Sequence, residues 1–122
     1  MSPTVSSVIS SLDAGALALE HFAIPPELTG IDGASTGGSR LPPFDGIEVG
    51  VWEHSTGISI DTEASEVFVV ISGRGRVTCD QGGVIELAPG VIGFLQEGAR
   101  TRWDISETLR KVWITRSQDT AQ

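Results

Sequence analysis

The sequence predicts an all-β sandwich or barrel preceded by an N-terminal arm, and three observations carry that prediction. Short apolar runs of strand length fill the second half of the chain. Turn signals built on Gly, Pro and Asp separate them at close intervals. The 15 glycines among 122 residues supply the tight turns that such a chain needs. Mean hydropathy of +0.09 and 39% hydrophobic residues mark a globular chain. Its length fits one domain with a sizeable core.

The arm comes first. Ser11 or Asp13 could cap a short helix over residues 14–22, which Pro25-Pro26 would end. The same stretch could equally be an extended arm packed on the barrel or on a second subunit. Residues 30–43 are rich in Gly, Ser, Thr and Pro and read as a loop, either a plain connection or a flap over a pocket. The arm and loop together span residues 1–44, the barrel 45–116 and a polar tail 117–122.

Residues 47–54 alternate, with Glu48, Gly50, Trp52 and His54 on one side and Ile47, Val49 and Val51 on the other. Residues 67–71 form a continuous β-branched and aromatic run, the pattern of a strand covered on both faces. Gly73-Arg74-Gly75 marks a bend or bulge. Residues 76–80 and 84–87 are strands joined through the hairpin turn Asp80-Gln81-Gly82-Gly83. Pro89-Gly90 turns again, and strands follow over residues 91–95, 101–105 and 109–115.

Charge excludes whole classes of function. The net charge is −8. Residues 1–73 carry one basic side chain, Arg40, against ten acidic ones. Such a surface repels nucleic acid and anionic membranes. Cys79 is the sole cysteine, so no internal disulfide can form, which suits a reducing cytoplasm. No signal peptide and no apolar run of transmembrane length is visible. The expected location is cytoplasmic.

Residues 50–116 resemble the cupin superfamily, and more narrowly the small single-domain cupins related to ureidoglycine aminohydrolase. The likeness rests on Gly50-Val51-Trp52-Glu53, on Glu66 with Ile71-Ser72-Gly73-Arg74, on Leu87-Ala88-Pro89-Gly90, and on Arg102-Trp103 followed by Glu107 and Arg110-Lys111. It implies a cupin jelly-roll barrel, or double-stranded β-helix, commonly found as a homodimer. It also implies a metal held by three histidines and a glutamate. Glu66 stands at the glutamate position. The two histidines of the first motif fall at Ile60 and Thr62, or one residue earlier at Ser59 and Asp61. Thr101 replaces the last histidine, and Gln96 replaces the usual proline. Glu66 alone cannot hold a transition metal tightly. The expected cofactor is therefore none, a divalent metal being disfavoured.

The candidate site gathers around Glu66, as a carboxylate inside the barrel that binds a cationic or hydroxyl-bearing ligand or acts as general base. The alternative is a buried acid satisfied by a neighbour. His54 could pair with it as an acid/base couple if Trp52 faces inward, or be an exposed strand-end histidine. Trp52, Phe68, Trp103 and Trp113 could line an apolar pocket, with Thr62 and Thr101 offering hydroxyls. Core packing is the other role open to the aromatics. A regular strand with Thr62 and Glu66 inward puts Asp61 and Glu63 outward, and a bulge would reverse this. Arg110 and Lys111 point to opposite faces, so only one reaches the cavity. These residues suggest a module that binds a small polar organic metabolite without a tightly held transition metal. The alternative is a hydrolase, lyase or isomerase of a small nitrogenous or sugar-acid metabolite, possibly metal-assisted.

Overall fold

The computed structural model describes residues 8–28 and 33–117. Eight strands follow one another: β1 (His21–Ala23), β2 (Ser35–Arg40), β3 (Ile47–His54), β4 (Gly57–Thr62), β5 (Glu66–Cys79), β6 (Val84–Leu87), β7 (Ile92–Leu95) and β8 (Arg100–Arg116). One 3-10 turn, Pro26–Leu28, sits between β1 and β2, and the described residues contain no α-helix. All strands pair antiparallel in a single sheet with the path β1-β2-β3-β8-β5-β6, β4 lying along β8 and β7 along β5.

Two long strands roll this sheet into a jelly-roll barrel. The first part of β8 pairs with β4, from Thr62↔Arg100 to Gly57↔Ile105. Its second part pairs with β3, from His54↔Leu109 to Ile47↔Arg116. β5 divides in the same way between β7 and β6, and runs beside β8 along most of its length. The predicted pairs of strands at 67–71 with 76–80 and at 101–105 with 109–115 are thus each one bent strand. The bend in β5 falls where Gly73-Arg74-Gly75 predicts it, as register shifts between Val70 and Gly75. Gly73 has φ 91°, and a Cβ there would lie 2.1 Å from the Thr108 carbonyl oxygen, so no other residue fits.

The inner faces of β5 to β8 meet in a core of Phe68, Val70, Val77, Leu87, Leu95, Trp103, Ile105 and Leu109, with Trp52 of β3 packed against it. The β5 run is not covered on both faces. Phe68 and Val70 are buried, whereas Val67 is 38% exposed. Its outer neighbours Ile92 and Phe94 are 59% and 73% exposed, because no segment of the described chain crosses that side of the sheet.

The N-terminal segment takes the extended alternative. Asp13 Oδ1 accepts a bond from the Gly15 N–H at 2.9 Å, which closes a turn where a helix would have started. The loop expected over residues 30–43 contains strand β2 instead. Small residues suit it there, since a Cβ at Gly37 would lie 2.6 Å from the Glu20 carbonyl oxygen of the arm. The sheet therefore reaches back to His21, well before the expected barrel start at residue 45. Of the predicted tail, residues 118–122 lie outside the described residues.

Candidate functional site

Strand register decides which side chains meet inside the barrel. Residues directly opposite across paired strands share a face. Trp103 and Thr101 of β8 point inward and are buried, and they oppose Ser59 and Asp61 of β4. Ser59 and Asp61, not Ile60 and Thr62, are thus the inward pair among the positions where the cupin resemblance implies histidines. The ladder continues past β4 through the Glu63 N–H to the Ala99 carbonyl at 2.9 Å, so Glu63 keeps the parity of Asp61. Residues 64 and 65 then leave the strand, and β5 starts a new parity at Glu66. That break overturns the expectation for Thr62. Its side chain is exposed and lines the open cleft outside, while Asp61 and Glu63 face the cavity.

The same logic separates Arg110 from Lys111. Lys111 opposes Trp52 and lies inside, and Arg110 opposes Glu53 and lies outside. Arg110 Nε donates to Glu53 Oε2 at 3.0 Å, and its Nη1 donates to the carbonyls of Ala14 at 2.9 Å and Leu17 at 2.7 Å. It clamps the N-terminal arm to the barrel. His21 completes this outer cluster, its Nε2 lying 2.6 Å from Glu53 Oε1. Burial pushes the Glu53 carboxyl up, but hydrogen bonds from His21 and Arg110 outweigh it and hold the group below its ordinary range.

Lys111 is the centre of the inner site. Its Nζ lies 2.6 Å from Glu66 Oε2, and the two side chains are only 5% and 17% exposed. The ammonium also stands 4.7 Å from the Trp52 ring centroid and 4.6 Å from those of Phe68 and Trp103. Three aromatic faces and one carboxylate therefore box a single cation. Glu66 is accordingly an inward carboxylate satisfied by a neighbour, and that neighbour is a lysine.

Glu63 forms a second polar knot. Its Oε2 accepts from Thr101 Oγ1 at 2.6 Å and from Trp103 Nε1 at 3.0 Å. Thr101 thus spends its hydroxyl on a protein partner. Asp61 sits at the rim. Burial, reinforced by the charge of Glu63, raises its carboxyl above the ordinary range, against the opposing pull of the Thr62 N–H and of Lys111. Between these groups is a cavity of 110 Å³ lined by Trp52, Asp61, Glu63, Glu66, Trp103, Lys111 and Trp113. All three tryptophans of the chain line it. The outer cleft shares Glu63 and Glu66 with this cavity.

His54 is neither an exposed histidine nor a bonded partner of Glu66. It is fully buried. Its Nδ1 lies 2.6 Å from the Ser55 carbonyl oxygen, and its Nε2 lies 2.8 Å from Ser59 Oγ. Burial lowers its affinity for a proton below the ordinary imidazole range, the Ser55 carbonyl acting the other way. The imidazole packs edge-on against Trp52, with centroids 5.4 Å apart.

A transition metal does not fit this donor set. Of the four positions where the cupin resemblance implies ligands, Ser59 is tied to His54, Asp61 takes the Thr62 N–H, Thr101 is tied to Glu63, and Glu66 to an ammonium at 2.6 Å. Among the described residues no three His, Cys, Asp or Glu side chains are grouped closely enough to hold an ion. The site offers one fixed cation, three carboxylates and aromatic walls.

Comparison with known proteins agrees with the fold. No curated protein was found to match the sequence. The EutQ protein of Clostridium difficile is 16% identical, with a TM-score of 0.69 over 91% of this chain and 89% of that one. A protein of unknown function from Pseudomonas syringae pathovar tomato is 20% identical, with a TM-score of 0.72 over 89% of this chain, which spans 48% of that one. The ectoine synthase of P. lautus is 15% identical, with a TM-score of 0.60 over 77% of this chain and 67% of that one. These likenesses show a shared fold. A family model for EutQ-like cupin domains matches residues 43–113, well over half the chain, and the protein therefore belongs to the EutQ-like cupin domain family.

Proposed function

We propose that this cupin domain binds a small polar organic molecule inside the barrel, in the cavity beside the Lys111–Glu66 pair, and does so without a tightly held transition metal. One observation carries the reading. A buried ammonium is fixed by a carboxylate and three aromatic rings at the wall of a cavity that also exposes Asp61 and Glu63. Pockets for small molecules combine apolar walls with a few directed polar groups in this way. Trp52, Phe68 and Trp103 hold the ammonium, while Thr101 positions Glu63.

Native mass spectrometry of protein purified under mild conditions tests the reading. The expected result is a small organic adduct that is lost in Lys111→Met. An adduct retained by that variant would place the ligand elsewhere and overturn the proposal.

A second reading is catalysis, by a hydrolase, lyase or isomerase of a small nitrogenous or sugar-acid metabolite. The resemblance to ureidoglycine aminohydrolase motivates it. The 2.6 Å contact between Lys111 Nζ and Glu66 Oε2 favours it, because an acid and a base already share a proton path there. The proton partner of Glu66 in this reading is Lys111, with His54 packed behind Trp52.

A further inference from the structure

The partners left unused around the cavity describe the ligand's own chemistry. Lys111 carries three N–H donors, and one of them meets Glu66. Its other two have no oxygen acceptor among the described residues and meet only the ring faces of Trp52, Phe68 and Trp103, while Lys111 itself lines the cavity. Buried donors of this kind call for an acceptor. Across the cavity the need is opposite. Glu66 uses Oε2 for Lys111, Glu63 uses Oε2 for Thr101 and Trp103, and Asp61 uses Oδ1 for the Thr62 N–H. Their second oxygens, Glu66 Oε1, Glu63 Oε1 and Asp61 Oδ2, accept no bond from the described residues. Three carboxylates against one ammonium leave two negative charges when all are ionised. Trp52, Trp103 and Trp113 supply the apolar lining. The room is 110 Å³, close to four waters at about 30 Å³ each.

We propose that the cavity selects a small primary ammonium that also bears a hydroxyl or carbonyl oxygen, the ammonium facing Asp61 and Glu63 and the oxygen accepting from Lys111. A primary ammonium supplies the N–H donors that the open carboxylate oxygens lack, and its charge offsets theirs. The oxygen gives the Lys111 donors a stronger acceptor than the ring faces they now meet. The indole walls cover a short carbon chain between the two ends. This rests on the reading of the cavity as an organic pocket and goes beyond it by fixing charge sign and polarity.

Four size-matched probes test it on the full chain by tryptophan fluorescence, since all three tryptophans line the cavity. They are 3-aminopropanol, 1,3-propanediol, 3-hydroxypropionate and propylammonium at neutral pH. The expected result is that 3-aminopropanol binds at least tenfold more tightly than each of the other three. Asp61→Asn is expected to weaken it about tenfold while circular dichroism stays that of the wild type. Tightest binding of 3-hydroxypropionate or the diol would overturn the charge assignment and leave the organic pocket standing. Equal binding of propylammonium would overturn the role given to the Lys111 donors. No saturable change with any probe would sink both this proposal and the pocket reading. Because the probe panel uses wild-type protein, a misfolded variant cannot blur the result.

Discussion

Replacing Lys111 with methionine removes the ammonium and keeps a long flexible side chain against the same rings. The structure lets the cost be estimated. Breaking a buried ion pair from one side costs about 3–5 kcal/mol. The partial exposure of Glu66, 17% by side chain, reduces this to about 2–3 kcal/mol. Loss of the ammonium from three ring faces adds about 1–2 kcal/mol. Sulfur–aromatic contacts of the new methionine return about 1 kcal/mol. The net expectation is a loss of about 3 kcal/mol at neutral pH, or a fall in Tm of about 12 °C for a chain of this size. Urea unfolding followed by tryptophan fluorescence measures it. The pair is isolated by adding Glu66→Gln, and the double variant should cost less than the sum of the singles by at least about 1 kcal/mol. A Lys111→Met variant within about 0.5 kcal/mol of wild type, with additive singles, would refute the boxed ion pair.

Further outcomes follow from other parts of the molecule. Asp61 has its carboxyl raised by burial and by Glu63, so the folded state favours its protonated form. Asp61→Asn is therefore expected to raise stability at neutral pH, with the gain vanishing below the ordinary value of 3.8, as urea midpoints at pH 7 and pH 3 would show. His54 is lowered instead, so its unfolded form binds protons more readily. Wild-type stability should fall as pH drops through 6.5, and His54→Gln should flatten that decline in the same urea series. Gly73→Ala places a Cβ 2.1 Å from a backbone oxygen at φ 91°, and thermal unfolding should register a loss of about 3 kcal/mol or more. Arg110→Lys keeps the charge but loses the guanidinium fork that reaches Ala14 and Leu17. Limited proteolysis should then cut residues 8–20 faster than in wild type, with the barrel intact.

The barrel was legible because its signals are local. Alternation over residues 47–54, the glycines at 73 and 75, and the turn Asp80-Gln81-Gly82-Gly83 each impose a conformation on their own neighbours. Glu66 and Thr101 take their inward places from the cupin motif, and alternation sets Trp103 on the face of Thr101 and His54 on that of Trp52. What the sequence concealed depends on register between distant strands. Asp61 and Glu63 were expected outward because parity was carried from Thr62 to Glu66 as if residues 64 and 65 continued one strand. The small pair Ala64-Ser65 was the available sign of the break. Lys111 and Arg110 are adjacent, so their faces follow only from pairing with Trp52 and Glu53. Strand β2 carries no apolar alternation, since glycines that admit the arm take the place of packing side chains. The serine that holds His54 comes from the next strand, and only folding brings the two together.

The account turns on whether this barrel holds an ammonium in place of the metal that the cupin resemblance implies. Elemental analysis of protein purified without chelator, repeated after incubation with equimolar manganese, iron, nickel or zinc and desalting, addresses that directly. The account predicts metal far below one equivalent per chain in every case. Retention of one equivalent of any of these ions, lost in Glu66→Gln, would contradict it.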